Sequence, residues 1–142
     1  MPFAIPVSPA NPRRVPLHPD ITEALVDTLV RRFYERIRAD ETLGPIFARR
    51  IGDDWEPHLL RMTDFWSSVM RMTGRYKGKP VPAHMRVKDI RPEHFALWLD
   101  LFRQTASELC APDVAALFIT RAERIAESLK LALFFDTPPH PA

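Results

Sequence analysis

Residues 55–69, WEPHLLRMTDFWSSV, carry large apolar side chains at successive intervals of four, three, four and three residues. The members of this stripe are Trp55, Leu59, Met62, Trp66 and Val69. Such spacing places them on one face of an α-helix that packs against a core. The helix is predicted to start at Asp53 or Asp54, and Pro57 is compatible with it because a proline in the first turn removes no intrahelical hydrogen bond.

Similar stripes lie on both sides of this helix. A preceding helix is predicted from Asp20, which forms an Asp-x-x-Glu capping pattern with Glu23, up to a break at Leu43-Gly44-Pro45. Two more helices should begin at Pro92 and Pro112, where a proline fits the first turn. The three stripes are Ile21, Ala24, Leu25, Leu29, Phe33 and Ile37; Phe95, Trp98, Leu99, Phe102, Ala106 and Leu109; and Ala115, Phe118, Ala122, Ile125, Leu129 and Leu133.

These segments predict the fold class and the limits of the domain. All four glycines fall between the stripes and are predicted to mark turns, and no alternating strand pattern is present, so we expect an all-α fold with four long helices. Six of the fifteen prolines lie within the first nineteen residues and three within the last five. We therefore predict a flexible proline-rich extension over 1–19, a globular domain over 20–135 and a tail over 136–142.

Composition and charge exclude several classes of protein. The single cysteine, Cys110, rules out an internal disulfide framework and fits a reducing compartment. Twenty basic residues face 18 acidic ones, and setting aside Arg13 and Arg14 of the extension leaves 18 of each, which disfavours nucleic-acid binding. No apolar run approaches the roughly 20 residues of a membrane span, and no signal-peptide pattern is present. We expect a cytoplasmic protein.

The candidate functional residues are polar side chains set among apolar ones. The sequence has no glycine-rich phosphate loop and no serine or cysteine nucleophile signature. Histidine, the commonest metal ligand, occurs centrally at His58, His84 and His94. His58 lies on or beside the stripe of the central helix, His84 in a loop that contains two glycines and two prolines, and His94 in a first helical turn.

Each of these residues also has a structural interpretation. A histidine on an apolar helix face is often a hydrogen-bonded core residue, and a histidine in a loop or a first turn is often exposed. Tyr34 and Trp98, taken singly, are typical of amphipathic aromatics at the edge of a core. Taken together, a hydroxyl, an indole N–H and an imidazole from three helices form a polar cluster of the kind that serves a ligand.

Six short motifs link these residues to a known family. They are Phe33-Tyr34, Leu43-Gly44-Pro45-Ile46-Phe47, Trp55-x-x-His58, Phe65-Trp66, Tyr76-x-Gly78-x-Pro80-x-x-x-His84 and Phe95-x-x-Trp98-Leu99-x-Leu101-Phe102. In this order and spacing they resemble the truncated haemoglobins of group III, which are bacterial globins with a two-over-two helical sandwich around a haem. The resemblance covers about residues 21–135 and leaves the proline-rich extension outside.

The resemblance implies haem b as the cofactor and His84 as its proximal iron ligand. It puts Tyr34 and Trp98 on the opposite, distal side and His58 at the distal-histidine position, as a gate or pocket wall. The other residues implied are Phe47, Met62, Phe65 and Phe95 in the pocket, with Arg61 and Tyr76 toward the haem propionates. Two hydrogen-bond donors should stabilise bound oxygen by roughly 0.5–1.5 kcal/mol each. Such stabilisation slows oxygen release, which does not suit an oxygen carrier.

The function implied is reversible binding of oxygen and related diatomic ligands for redox or detoxifying chemistry, such as nitric-oxide oxidation or peroxide reduction. Activity of the dioxygenase or peroxidase type would need a reductase that the sequence does not identify. Two alternatives stay open. One is a haem-based sensor or ligand-binding module that acts on a partner protein, and the other is a helical interaction domain without a cofactor.

Overall fold

The described part of the chain consists of helices. The computed structural model describes residues 15–76 and 90–135, and these ranges contain no strand, which confirms the all-α prediction. Across the same ranges, no helix combines the length and the apolar character needed to span a membrane. The elements are α1 (Glu23–Ala39), α2 (Leu43–Ile51), α3 (Trp55–Arg71), α4 (Pro92–Leu109), α5 (Pro112–Lys130) and a π-helical turn (Leu131–Phe135).

Three of the predicted helix starts are confirmed. Asp54 is the residue that precedes α3, and Pro92 and Pro112 occupy the first positions of α4 and α5. A proline at a helix start has its φ angle already fixed near the helical value and lacks only an N–H that would have no intrahelical partner. These starts therefore depend on local chemistry that can be predicted without the rest of the fold.

The predicted start of the first helix at Asp20 is wrong. Helix α1 begins three residues later, and its capping residue is Thr22, whose backbone is extended and whose hydroxyl accepts a hydrogen bond from the Leu25 N–H at 3.1 Å. Glu23 does not complete a capping box with Asp20, because its carboxylate binds Ser67 and Arg71 instead. The predicted stripe shifts accordingly, so that Ala24 is exposed. The buried residues of α1 are Val26, Leu29, Val30, Phe33, Tyr34 and Ile37.

The predicted break at Leu43-Gly44-Pro45 is instead the first turn of α2. The chain turns one step earlier, where the Asp40 carboxylate accepts hydrogen bonds from the N–H groups of Thr42 (3.0 Å) and Leu43 (2.8 Å). Gly44 therefore lies inside a helix, contrary to prediction. A Cβ atom there would lie 2.7 Å from the carbonyl oxygen of Arg38, so only glycine permits this close approach of α2 to the end of α1.

Two pairs of helices build the core. Helix α1 packs on α3, α4 packs on α5, and α1 also contacts α4, which joins the two pairs. One aromatic ring from each of these helices meets at the centre: Phe102 lies 5.2 Å from Phe33 and 4.9 Å from Trp66, and Trp66 lies 6.0 Å from Phe118. The contacts between these four rings determine how the two helix pairs pack against each other.

The end of the predicted extension contacts the helices. The Leu17 N–H donates to the carbonyl oxygen of Met70 at 2.9 Å, and His18 lies 3.0 Å from the Asp113 carboxylate at the start of α5. Residues 1–14 of the extension, the predicted tail over 136–142 and residues 77–89, which include Gly78, Pro80 and His84, lie outside the described residues. The predicted division into extension, domain and tail stays a prediction.

Candidate functional site

Tyr34 of α1 stands at the centre of a cluster of rings from three helices. Its ring centroid lies 5.1 Å from His58 and 6.1 Å from Trp55, both of α3, and 6.0 Å from Phe47 of α2. Helix α2 reaches this cluster because Gly44 lets it pack against α1. The structure therefore brings together three of the predicted site residues, namely Tyr34, His58 and Phe47.

The hydroxyl group of Tyr34 is held in its protonated form. The residue is 6% exposed, and burial raises the pKa of its phenol well above the ordinary value because the phenolate would lose its hydration. A phenol that keeps its proton remains a hydrogen-bond donor across the physiological range. Tyr34 thus offers a permanent donor among apolar and aromatic side chains.

His58 approaches Tyr34 edge-on from the first turns of α3. The two rings stand at 89°, and the Nε2 atom of His58 is buried although the residue as a whole is only partly buried. Its backbone N–H donates to Asp54 at 3.3 Å, as expected near a helix start. The imidazole thus packs against the Tyr34 ring with its Nε2 atom shielded from solvent.

Trp55 is a member of the cluster that sequence reasoning left out of the site. Its ring lies 5.9 Å from His58, and the guanidinium of Arg38 covers it at 4.5 Å from the ring centroid. The Trp-x-x-His spacing indicated that Trp55 lies beside His58, because residues three apart on a helix share a face. Arg38 gave no such signal, since its position over Trp55 depends on how α1 crosses α3.

Trp98 of α4 joins the cluster through Phe33. The Phe33 ring lies 5.1 Å from Tyr34 on one side and 5.4 Å from Trp98 on the other. Trp98 also stacks on Phe102, with ring centroids 5.7 Å apart and an interplanar angle of 13°. Its ring orientation is therefore fixed by two neighbours in the core, although the residue itself is only partly buried.

The remaining predicted pocket residues lie along α3 and α4. His58, Met62 and Phe65 follow at intervals of four and three on α3, and Phe65 packs edge-on against Tyr76 at 5.1 Å. Phe95 of α4 packs in a second cluster with Ala126, Leu129 and Phe134, which Trp98 also contacts. Arg61 is exposed on α3.

The other two central histidines, His94 and His84, were predicted from the sequence at a helix start and in a loop. His94 lies in the first turn of α4, where its Nδ1 accepts a hydrogen bond from the Arg91 N–H at 3.0 Å, so the first-turn role expected for it is confirmed. His84, the predicted iron ligand, falls within residues 77–89, outside the described residues, and its role stays a prediction.

Comparisons with known proteins agree with this arrangement. No family model matches the chain. The group 3 truncated haemoglobin ctb of Campylobacter jejuni is 29% identical over 117 residues, which cover 80% of this chain and 92% of the relative. Sequence and fold both match the group III truncated haemoglobins. The crystal structure of the group III truncated haemoglobin from Campylobacter jejuni has a TM-score of 0.79 and 27% identity to this chain and covers 85% of it and 98% of that chain.

The truncated haemoglobin match confirms the predicted family resemblance and fold class. The pairs α1–α3 and α4–α5 correspond to the expected two-over-two sandwich. The match also supports a globin-type haem protein that binds diatomic ligands. The roles of individual residues are not tested by it and are taken up below.

Proposed function

We propose that this protein is a cytoplasmic haem protein that holds haem b through His84 and uses bound oxygen or related diatomic ligands in redox or detoxifying chemistry. The reactions proposed are nitric-oxide oxidation or peroxide reduction, of the dioxygenase or peroxidase type, with electrons from a separate reductase. The observation that carries the proposal is the buried Tyr34 phenol in edge-on ring contact with His58, which suits ligand retention rather than delivery.

The described residues fit a haem. A flat cofactor packs against apolar side chains that the protein alone leaves partly exposed. Phe47, Met62, Phe65 and Trp98 are each only partly buried, whereas the neighbouring core rings such as Phe102 are fully buried. We propose that these four side chains form the apolar wall against which the haem packs, with the buried Tyr34 ring next to Phe47. Haem supplies an iron atom to which diatomic ligands bind reversibly.

Tyr34 and Trp98 are the proposed hydrogen-bond donors on the distal side. Oxygen becomes polar when it binds, so a donor stabilises it by about 0.5–1.5 kcal/mol, and two donors by about 1–3 kcal/mol if their effects add. This corresponds to roughly 5- to 150-fold slower release. Slow release favours reaction of the ligand over its delivery.

His58 is proposed to act as a gate or pocket wall and not as a second permanent iron ligand. Its ring packs against both Tyr34 and Trp55, so rotation about its side-chain torsions would change the space beside Tyr34. Trp55, which Arg38 covers, limits that rotation on the outer side. Ligand entry should therefore depend on His58 more strongly than ligand retention does.

The remaining pocket residues have packing or anchoring roles in the proposal. Phe47, Met62, Phe65 and Phe95 provide apolar contact with the haem faces and edge. Arg61 and Tyr76 are proposed to reach the propionates, since an exposed guanidinium and a half-buried phenol both donate to carboxylates. This set leaves one polar edge for the propionates and an otherwise apolar pocket.

The test is the spectrum of the purified protein and of variants at His84. We expect stoichiometric haem and a five-coordinate ferrous form in the wild type. His84→Gly should lose haem or its axial ligation, and added imidazole should restore the spectrum by occupying the vacated space. His94→Ala is the matched control, because His94 only caps α4. A His84→Gly protein with unchanged coordination and haem affinity would reject the assignment.

A second measurement separates ligand chemistry from oxygen transport. Oxygen dissociation is followed by stopped-flow replacement with carbon monoxide, and consumption of nitric oxide or peroxide is followed with a supplied reductant. Slow dissociation with multiple turnovers supports the proposal. Fast dissociation without turnover contradicts it and favours transport or sensing.

A further inference from the structure

Residues 72–76 connect the end of α3 to residues 77–89, which lie outside the described residues. The backbone leaves the helix at Met72, which has a left-handed φ of 60°, and turns again at Gly74 with a φ of 71°. Residues 72–76 belong to no helix or strand. Their position is therefore set by side-chain contacts rather than by a ladder of backbone hydrogen bonds.

These contacts converge on Glu23, the first residue of α1. Its Oε1 accepts a hydrogen bond from Arg75 at 2.8 Å, and its Oε2 accepts from Arg71 at 3.0 Å and from Ser67 at 2.8 Å. Ser67 is fully buried. One carboxylate thus ties the last turns of α3 and the segment beyond it to the start of α1.

Each of the two arginines also contacts a second partner. Arg71 also donates to the carbonyl oxygen of Ile21 at 2.6 Å, and Arg75 also contacts Asp64 at 3.1 Å. Burial raises the pKa of Glu23, but the hydrogen bonds from Arg75 and Ser67 outweigh this effect and leave that pKa below its ordinary value. The carboxylate is therefore ionised at neutral pH and pairs with both guanidinium groups.

Tyr76 is the residue that this network places beside the pocket wall. Its N–H donates to the Ser68 hydroxyl at 2.9 Å, and its ring packs on Phe65 at 5.1 Å and 87°. It directly follows Arg75, one of the two arginines that Glu23 holds. A shift of Arg75 away from Glu23 would carry the Tyr76 backbone with it and separate its ring from Phe65.

We propose that Glu23 is a positioning residue for the cofactor: it holds residues 71–76 against α1 and so keeps the Tyr76 ring against Phe65 at the haem pocket. The inference rests on the proposed function, because it needs a haem whose retention Tyr76 and Phe65 affect. The inference gives a role to Glu23, a residue of α1 that is separated from the pocket by Arg71 and Arg75. Glu23 acts through Arg71 and Arg75 and not by contact with the haem.

Glu56 provides a matched control. It also lies in the first turn of a helix and also pairs across α1 and α3, through two hydrogen bonds with Arg31 at 2.9 and 2.7 Å. Replacing either glutamate by glutamine removes one charge and one helix-start carboxylate, together with the ion pairs to Arg71 and Arg75 in one case and the ion pair to Arg31 in the other. Only Glu23, however, contacts residues 71–76.

The experiment measures haem loss from the holoprotein to excess apomyoglobin. Removal of a partly exposed ion pair is worth about 1 kcal/mol, so Glu23→Gln should lose haem about fivefold faster than wild type, and Glu56→Gln less than twofold faster. Arg75→Gln should also accelerate the loss, and the double variant should lose haem more slowly than the product of the single effects predicts. Equal effects of Glu23→Gln and Glu56→Gln, or a fully multiplicative double variant, would overturn the inference.

Amide hydrogen exchange of the full-length protein as purified gives a readout that does not depend on haem binding. Glu23→Gln should speed exchange about fivefold at residues 72–76, and Glu56→Gln should leave those amides unchanged. If the wild type holds no haem, the proposed function fails, while the exchange data still decide whether Glu23 positions this segment. Unchanged exchange at residues 72–76 in Glu23→Gln overturns the inference even if haem binds.

Discussion

Replacing Tyr34 by phenylalanine is the most direct test of the proposed distal site. The substitution removes one hydroxyl group and keeps the ring, which is 6% exposed and packs on Phe33, Phe47, Trp55 and His58. These four ring contacts should survive, so the pocket keeps its shape. Any change in ligand kinetics then reports the lost hydroxyl and not a rearranged core.

The expected size of the effect follows from the hydrogen bond. Loss of one donor to a polar ligand removes about 0.5–1.5 kcal/mol, which speeds oxygen dissociation by about 2- to 13-fold. Carbon monoxide is less polar when bound, so its dissociation should change much less. Because burial raises the pKa of Tyr34, the difference between wild type and variant should persist at pH 10, where an exposed tyrosine is about half ionised.

The assay is stopped-flow replacement of oxygen by carbon monoxide, with dissociation of carbon monoxide from the same variant as the control. Carbon monoxide depends much less on a hydrogen-bond donor, so its dissociation rate reports the shape of the pocket. An unchanged rate in Tyr34→Phe refutes the donor role of that hydroxyl. Equal acceleration of oxygen and carbon monoxide release shows a change of pocket shape instead.

Four further outcomes are expected. His58→Leu should change the association rate of carbon monoxide and leave the unliganded ferrous protein five-coordinate by absorption; a six-coordinate wild-type spectrum that vanishes in this variant contradicts the gate. Phe102→Ala, at a fully buried position between two tryptophans, should lower the free energy of unfolding in urea by about 3–5 kcal/mol. Deleting residues 1–14 should leave the thermal midpoint unchanged, whereas deleting 1–19 should lower it, because Leu17 contacts α3; equal midpoints would show that this contact adds no stability. The free energy of unfolding, measured in urea across pH, should differ fully between wild type and Glu23→Gln above the ordinary glutamate pKa of about 4.3. The difference should disappear as pH falls through the lower pKa of Glu23 in the folded protein. A difference that grows on acidification would contradict a stabilising role of the Glu23 carboxylate.

Short-range patterns determined where most helices lie and which faces they bury. The starts at Asp54, Pro92 and Pro112 were predictable because each helix has a proline in its first turn, and this signal acts within a few residues. The start of α1 was not, since Asp20 and Thr22 both have capping side chains and only the extended backbone at Thr22 favours one of them. The sequence signals for a helix cap are equal at these two residues, so the start of α1 depends on the folded structure.

The same distinction applies to the site. The sequence alone placed Tyr34, His58 and Phe47 together only through the family resemblance, and the match to a truncated haemoglobin fold is consistent with that placement. Helix α2, which carries Phe47, was predicted as a break, because glycine and proline interrupt a helix interior but are compatible with its first turn. That Gly44 lies in a first turn depends on the close approach to Arg38 in the folded chain.

Contacts between distant residues were decided by tertiary structure alone. Arg38 reaches Trp55, and Glu23 reaches Arg71 and Arg75, because α1 crosses α3 at one particular angle and register. No periodicity encodes such pairs, since charged side chains on a helix surface have many possible partners of similar energy. The sequence by itself determined the helical pattern and the chemistry of the side chains, whereas the packing of α1 on α3 decided which side chains of α1 are buried and which residues act together.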